Sequence, residues 1–155
     1  MNIYCCGCQK TINAKLITGA DIYPHRDDLH KLPFWRCVMC GNYVGCHHKT
    51  KNRTRPLGVI PTKEIRNARH HLHALIDPIW KCGKMKRKEI YRRLSERLGY
   101  VYHTGETKSL EQCREVYRAA LEITPVKQSL KTEQTKNTGQ LKTKGNNNGT
   151  TNKRN

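Results

Sequence analysis

Two cysteine pairs, Cys5-x-x-Cys8 and Cys37-x-x-Cys40, constrain this chain more than any other feature. A CxxC turn lets two sulfurs reach one tetrahedral ion while nearby backbone N–H groups bond to the thiolates. Two such turns, brought together by short strands, close a site of four sulfurs. The 28 residues between Cys8 and Cys37 suit a ribbon that carries a loop, and Gly7 and Gly41 suit tight turns. The pattern predicts one Zn²⁺ held by Cys5, Cys8, Cys37 and Cys40. A closed four-thiolate site is structural, because it replaces the core that so small a ribbon cannot build. Cys6, within the run CCGC, falls off the knuckle spacing and is expected to point away from the metal.

Charge sets the second constraint. The 155 residues hold 30 Lys and Arg against 12 Asp and Glu, a formal charge of +18. Self-repulsion opposes compaction, so folding alone gives no reason for such a balance. A polyanionic partner does, with nucleic acid ahead of an anionic membrane surface. Four thiolates and Zn²⁺ together add −2, which leaves about +16. The sequence has no run of about 18 apolar residues of the kind that spans a bilayer. Its start, MNIYCCGC, lacks a basic-then-apolar signal segment. The expected location is a reducing cytoplasm, where eight cysteines favour metal over disulfides.

The composition divides the chain into four parts. Residues 1–47 are β-like and form the expected zinc ribbon, with TINAKLIT as a strand carrying Ile12, Ala14 and Leu16 on one face. DIY then begins the return, FWRC enters the second cysteine pair, and NYVGC leaves it as a strand. Residues 48–61 form a basic loop. Residues 62–125 turn helical: Thr62 caps a helix with Ile65, Ala68, Leu72, Leu75 and Ile76 at helical spacing, which Asp77-Pro78 ends. A second helix runs from about Lys86 to Leu98, with Ile90, Leu94 and Leu98 buried and Gly99 as C-cap. YVYH reads as a short strand. A third helix starts at Ser109, with Gln112 completing a capping box. Residues 126–155 have three apolar residues without period and carry +6 of the charge, the composition of a disordered basic tail. The fold class is therefore α+β: a two-knuckle ribbon of short antiparallel strands, about three helices, and the tail.

Candidate functional residues fall into two further groups. Lys49, Lys51, Arg53 and Arg55 in the loop, with Lys84, Lys86, Arg87, Lys88, Arg92 and Arg93 around the second helix, offer positive charge to phosphates. The other group is less regular. Cys46, His47, His103 and Cys113 form a candidate second metal cluster, although their separation supplies no local spacing. Buried cysteines and a solvated His70, His71 and His73 face are the plainer alternative. Tyr23 to Asp28 holds a base, a cation and carboxylates, as a His-Me-finger nuclease with His25 or His47 as base would require. The Asp-His start and the later Asn and His of that motif are missing. Phe34, Trp35 and Tyr43 are either stacking platforms or core. No Gly-rich phosphate loop or G-x-S-x-G is present.

The first CxxC, IYPHR (22–26), FWRCVMCGNYVGCH (34–47), PLG (56–58), ALIDPIW (74–80), IYRRLSERLG (90–99), HTG (103–105) and Cys113 occur in one order across about residues 4–120. In these pieces the chain resembles a zinc-finger-containing domain family of unknown function found in bacteriophages and prophages. The resemblance implies a zinc-ribbon front followed by helices, in a phage-infected or lysogenic bacterium, and supplies no activity. It also implies that His25, Arg26, Cys46 and His47 share a site. The family pattern carries Cys-His-x-Gly where this chain has Tyr102-His103-Thr104-Gly105, and the missing thiol counts against a second metal.

Zinc is the one expected cofactor, and DNA or RNA the expected partner. A metal-dependent nuclease and a module acting on a host protein stand as alternatives. No membrane partner or small-molecule substrate is indicated.

Overall fold

The computed structural model describes residues 1–123, and the expected tail, 126–155, lies outside the described residues. Strands β1 (Asn2–Cys5) and β2 (Lys10–Asn13) pair as an antiparallel hairpin, from Asn2 opposite Asn13 to Cys5 opposite Lys10. Strands β3 (Lys15–Thr18), β4 (Pro33–Arg36) and β5 (Tyr43–Gly45) form a separate antiparallel sheet in that order. Each cysteine pair sits in the turn of one hairpin. Gln9, with φ 55°, closes the first turn, and Gly41, with φ 75°, closes the second.

TINAKLIT is two strands in two sheets, not one. The β1–β2 ladder runs out at the chain start, where the amide of Ala14 donates to the carbonyl of Met1. Ile12 and Ala14 remain buried, but Leu16, one step beyond the break, is 43 % exposed. DIY is likewise no return strand. The Asp21 carboxylate accepts from the amide and the hydroxyl of Thr18, each at 2.9 Å, which winds residues 19–21 into a 3-10 turn. The return begins at Pro33.

Helix α1 (Lys63–Lys81) is capped by Thr62, whose hydroxyl accepts from the Ile65 amide. It continues through Pro78 for another three residues, where the sequence predicted an end. An internal proline costs about 3 kcal/mol through its lost donor and steric clash. Continuation buries Ile79, which contributes about 1.5–3 kcal/mol, and lets the Trp80 indole donate to Asp77 at 3.2 Å. Helix α2 (Arg87–Leu98) stops at Gly99, with φ 76°. Helix α3 (Leu110–Ile123) is capped by Ser109, whose hydroxyl accepts from the Gln112 amide. The Gln112 side chain reaches back to the Lys108 amide instead of that of Ser109. YVYH forms no strand among the described residues. Tyr102 turns inward to stack on Tyr91, at 5.7 Å between ring centres. None of the described helices is long and apolar enough to cross a membrane.

Two cores result. Leu72, Ile76, Ile90, Leu94 and Val116 centre the helical one, and Ile3, Ile12, Ala14, Val44 and Ile60 the ribbon one. An extended contact separates them. The Cys6 amide donates to the Ile60 carbonyl at 2.8 Å, and the Ile60 amide to the Tyr4 carbonyl at 2.9 Å. Successive side chains on an extended backbone point to opposite sides. Cys5 and Ile60 therefore enter the ribbon core, while Cys6 and Val59 enter the helical one.

The same segment meets the loop before α3. The Val59 amide donates to the Gly105 carbonyl at 3.0 Å, and the two backbones lie almost in contact. A Cβ on Gly58 would stand 2.1 Å from the Gly105 carbonyl oxygen, and one on Gly105 2.1 Å from that of Leu57. Gly58→Ala and Gly105→Ala should each therefore destabilise the zinc-loaded protein by about 2 kcal/mol or more. Urea midpoints compared with the parent protein check this, and a shift worth under about 0.5 kcal/mol would show that the backbones separate freely.

Candidate metal centre and cationic cleft

Cys5 ends β1 and Cys8 follows in its turn, while Cys37 and Cys40 occupy the turn from β4 to β5. All four sulfurs lie within 4.8 Å of one another. Cys5 and Cys40 are 3.4 Å apart, and Cys8 and Cys37 are 3.6 Å apart. Zn–S bonds of about 2.3 Å give tetrahedral edges near 3.8 Å, so the arrangement fits one zinc ion. The turns supply donors as well. Asn42 Nδ2 donates to Cys40 Sγ at 3.2 Å, and the Cys37 amide donates to the Asn42 carbonyl at 2.7 Å, which closes the second knuckle.

The thiols differ in acidity. Burial pushes Cys5 up to about 12. Burial acts the same way on Cys37, but the amides of Cys40 and Met39 outweigh it and bring that thiol down to about 7. A divalent cation is what holds all four as thiolates together. This is a structural zinc site, closed by four protein ligands.

The remaining sequence-predicted residues do not form one site. His25 and Arg26 lie on an exposed turn, where Arg26 makes two 2.8 Å bonds to Asp28. The cation and one carboxylate of the candidate nuclease segment thus occupy each other. Cys113 packs in the helical core, and Cys46 is buried just after β5, where burial raises its thiol to about 11. Only His47 and His103 come together, in a cleft of about 410 Å³ between the ribbon and the helices. Among the described residues, the four knuckle cysteines are the only His, Cys, Asp or Glu group with metal-ligand spacing.

Arg66, Arg69 and Tyr91, not singled out from the sequence, line that cleft together with residues expected on other surfaces. Arg66, Arg69, His70 and His73 project into it from α1, and Arg87 and Tyr91 from α2. The ribbon side contributes Tyr23, Phe34 and Tyr43, packed edge to face, with the Tyr23 and Tyr43 hydroxyls 2.7 Å apart. Phe34 and Tyr43 therefore face the cleft. Trp35 packs on the ribbon core, and its indole donates to the Thr54 carbonyl at 2.7 Å. Arg69 carried a readable signal. It stands in the apolar stripe Ile65, Leu72, Ile76, and a guanidinium at such a position needs a buried purpose.

The surface cations sort into two kinds. Arg92 is held by Glu89 and Glu96, Arg93 by Glu89 at 2.8 Å, and Arg97 by Glu122. These carboxylates already neutralise them. Lys49, Lys51, Arg53 and Arg55 are exposed on the loop, and Lys84, Lys86, Arg87 and Lys88 are exposed where α2 begins. None of these eight has an ion pair among the described residues. Of these eight, Arg87 lines the cleft, and the loop that carries four others follows His47, another lining residue.

The zinc centre generates a direct test. Cys37→Ala should weaken zinc binding more than about 100-fold, beyond the usual effect of removing an outer-shell partner. Cys46→Ala and Cys113→Ala should keep one zinc per chain. Metal analysis and chelator competition distinguish these outcomes, and zinc lost from the Cys46 variant would mean that a different ligand set operates.

A zinc-finger-containing domain family matches residues 1–123 of the chain. No curated protein and no solved structure matches it.

Proposed function

We propose that this chain, which belongs to the zinc-finger-containing domain family, is a nucleic-acid-binding module whose zinc ribbon presents unpaired cations to phosphates. The observation that carries this reading is the contrast between the two kinds of cation. Exposed lysines and arginines of the loop and of the start of α2 have no ion pair among the described residues, while Arg92, Arg93 and Arg97 are engaged with carboxylates. The contacting set is therefore Lys49, Lys51, Arg53 and Arg55 with Lys84, Lys86, Arg87 and Lys88. Arg92 and Arg93, equally basic in sequence, contribute little to it.

Eight unbridged cysteines suit a reducing cytoplasm. The setting we propose for this activity is phage replication, transcription control or host takeover within a bacterium, in keeping with the resemblance. Nothing in the geometry favours the nuclease reading over binding, because none of the residues lining the cleft is a carboxylate that would hold Mg²⁺.

Salt titration of binding to end-labelled DNA and RNA tests the proposal. Each phosphate contact removed should flatten the logarithmic salt dependence by about 0.9 on duplex DNA, or about 0.7 on single strands. Joint replacement of Lys84, Lys86 and Lys88 by Ala should flatten it by about two to three such steps. Joint replacement of Arg92 and Arg93 should change it by less than about one. Equal effects of the two sets would refute the assignment of the interface, and no binding at physiological salt would refute the function. Strand cleavage in Mg²⁺ would return the nuclease alternative.

A further inference from the structure

We infer that the cleft between β5, α1 and α2 is a binding site for the phosphomonoester of a nucleotide, carried either by a strand end or by a free mononucleotide. The strand-end source rests on the proposed nucleic-acid reading, and the mononucleotide source does not.

The cleft's arginines are held in place without an ion pair among the described residues, and Glu106 acts on Arg69 only through its field. Arg66 lies 4.0 Å over the Tyr43 ring and donates to the Tyr43 carbonyl and hydroxyl. Arg87 stands 5.6 Å from the rings of both Trp80 and Tyr91. Arg69 is 9 % exposed and donates to the carbonyls of Val59 and Thr107, while its Nε has no partner among the described residues. None of the three has a carboxylate partner among the described residues, although the nearby α2 arginines do. A buried guanidinium whose hydrogen-bond partners are all neutral carbonyls, with one nitrogen left over, carries a desolvation cost that an arriving anion offsets.

The geometry narrows the anion. Guanidinium forks match the oxygens of phosphate, and a phosphomonoester carries up to twice the charge of a diester linkage. Imidazoles of His47, His70 and His103 add further donors. The volume of about 410 Å³ falls in the range of small-molecule sites, about 300–1,000 Å³, and exceeds what a bare phosphate needs. Phe34, Tyr23 and Tyr43 offer aromatic faces and edges to a base. The histidines do not form a metal site in its place, because they lack ligand spacing among the described residues.

The test uses the full zinc-loaded chain and fluorescent single strands that end in phosphate or in hydroxyl, with a mononucleotide as competitor. The phosphate-ended strand should bind at least about tenfold tighter, the effect of one charge-assisted hydrogen bond. Arg66→Gln should bring the two strands to the same affinity. His70→Ala, on an exposed position, should reduce the ratio with little risk to folding, and zinc content monitors the fold of both variants. Equal affinity for the two ends with no competition by mononucleotide would overturn the inference and leave the surface reading intact. Mononucleotide binding that depends on Arg66, with neither strand bound, would uphold the site and refute the nucleic-acid reading. Binding of neither strand nor mononucleotide would refute both.

Discussion

The ribbon depends on one interaction, the sharing of a metal ion by two sheets that exchange no ladder hydrogen bonds. Cys5 and Cys8 belong to the β1–β2 hairpin, and Cys37 and Cys40 to the β4–β5 hairpin. One sheet is a two-stranded hairpin, marginal by itself in water, and the other has only three strands of three or four residues. The side chains between them are few, chiefly Ile3, Ile12, Val44 and Ile60. Structural zinc contributes about 10–16 kcal/mol of binding free energy, comparable with the whole stability of an ordinary domain. The metal therefore takes the place that a larger core would otherwise fill.

From that centre, order passes to the helices through backbone contacts more than through side-chain volume. The Cys6 amide donates to the Ile60 carbonyl and the Ile60 amide to that of Tyr4, which ties β1 to the segment before α1, and the Val59 amide donates to Gly105 ahead of α3. The alternation of an extended chain then assigns Cys5 and Ile60 to one core and Cys6 and Val59 to the other. Cys6, which looks like a redundant ligand in CCGC, is a small apolar residue of the helical core.

Features governed by local chemistry were legible in the sequence. The knuckle spacing, the Thr62 cap, the Gly99 stop, the stripes of the first two helices and the start of the third all depend on residues within a few positions of one another. Features decided by distant packing were not. Pro78 reads as a terminator, and only the core waiting for Ile79 carries the helix past it. The alternation in YVYH reads as a strand, yet no strand lies beside it, and Tyr102 finds its place on Tyr91. The basic face of α2 reads as one uniform surface. Side-chain geometry separates it, since Glu89 and Glu96 lie three and four residues from Arg92. The cleft was the least legible part, because its walls come from the ribbon, α1, α2 and the loop before α3.

On the proposed reading, a structural metal becomes a condition of binding without touching any ligand. Tyr43 follows the second knuckle by three residues, and His47 by seven. Arg66 is held against the Tyr43 ring and carbonyl, so its position is set jointly by β5 and by α1. Loss of the metal frees β5, and with it the ribbon wall of the cleft and the loop cations anchored through Trp35 to Thr54. The helical core, built from Leu72, Ile76, Leu94 and Val116, has its own apolar contacts and does not depend on the metal to the same degree. The zinc thus sets the distance between two walls that bear the binding chemistry, although all of that chemistry belongs to arginine, lysine, histidine and tyrosine side chains.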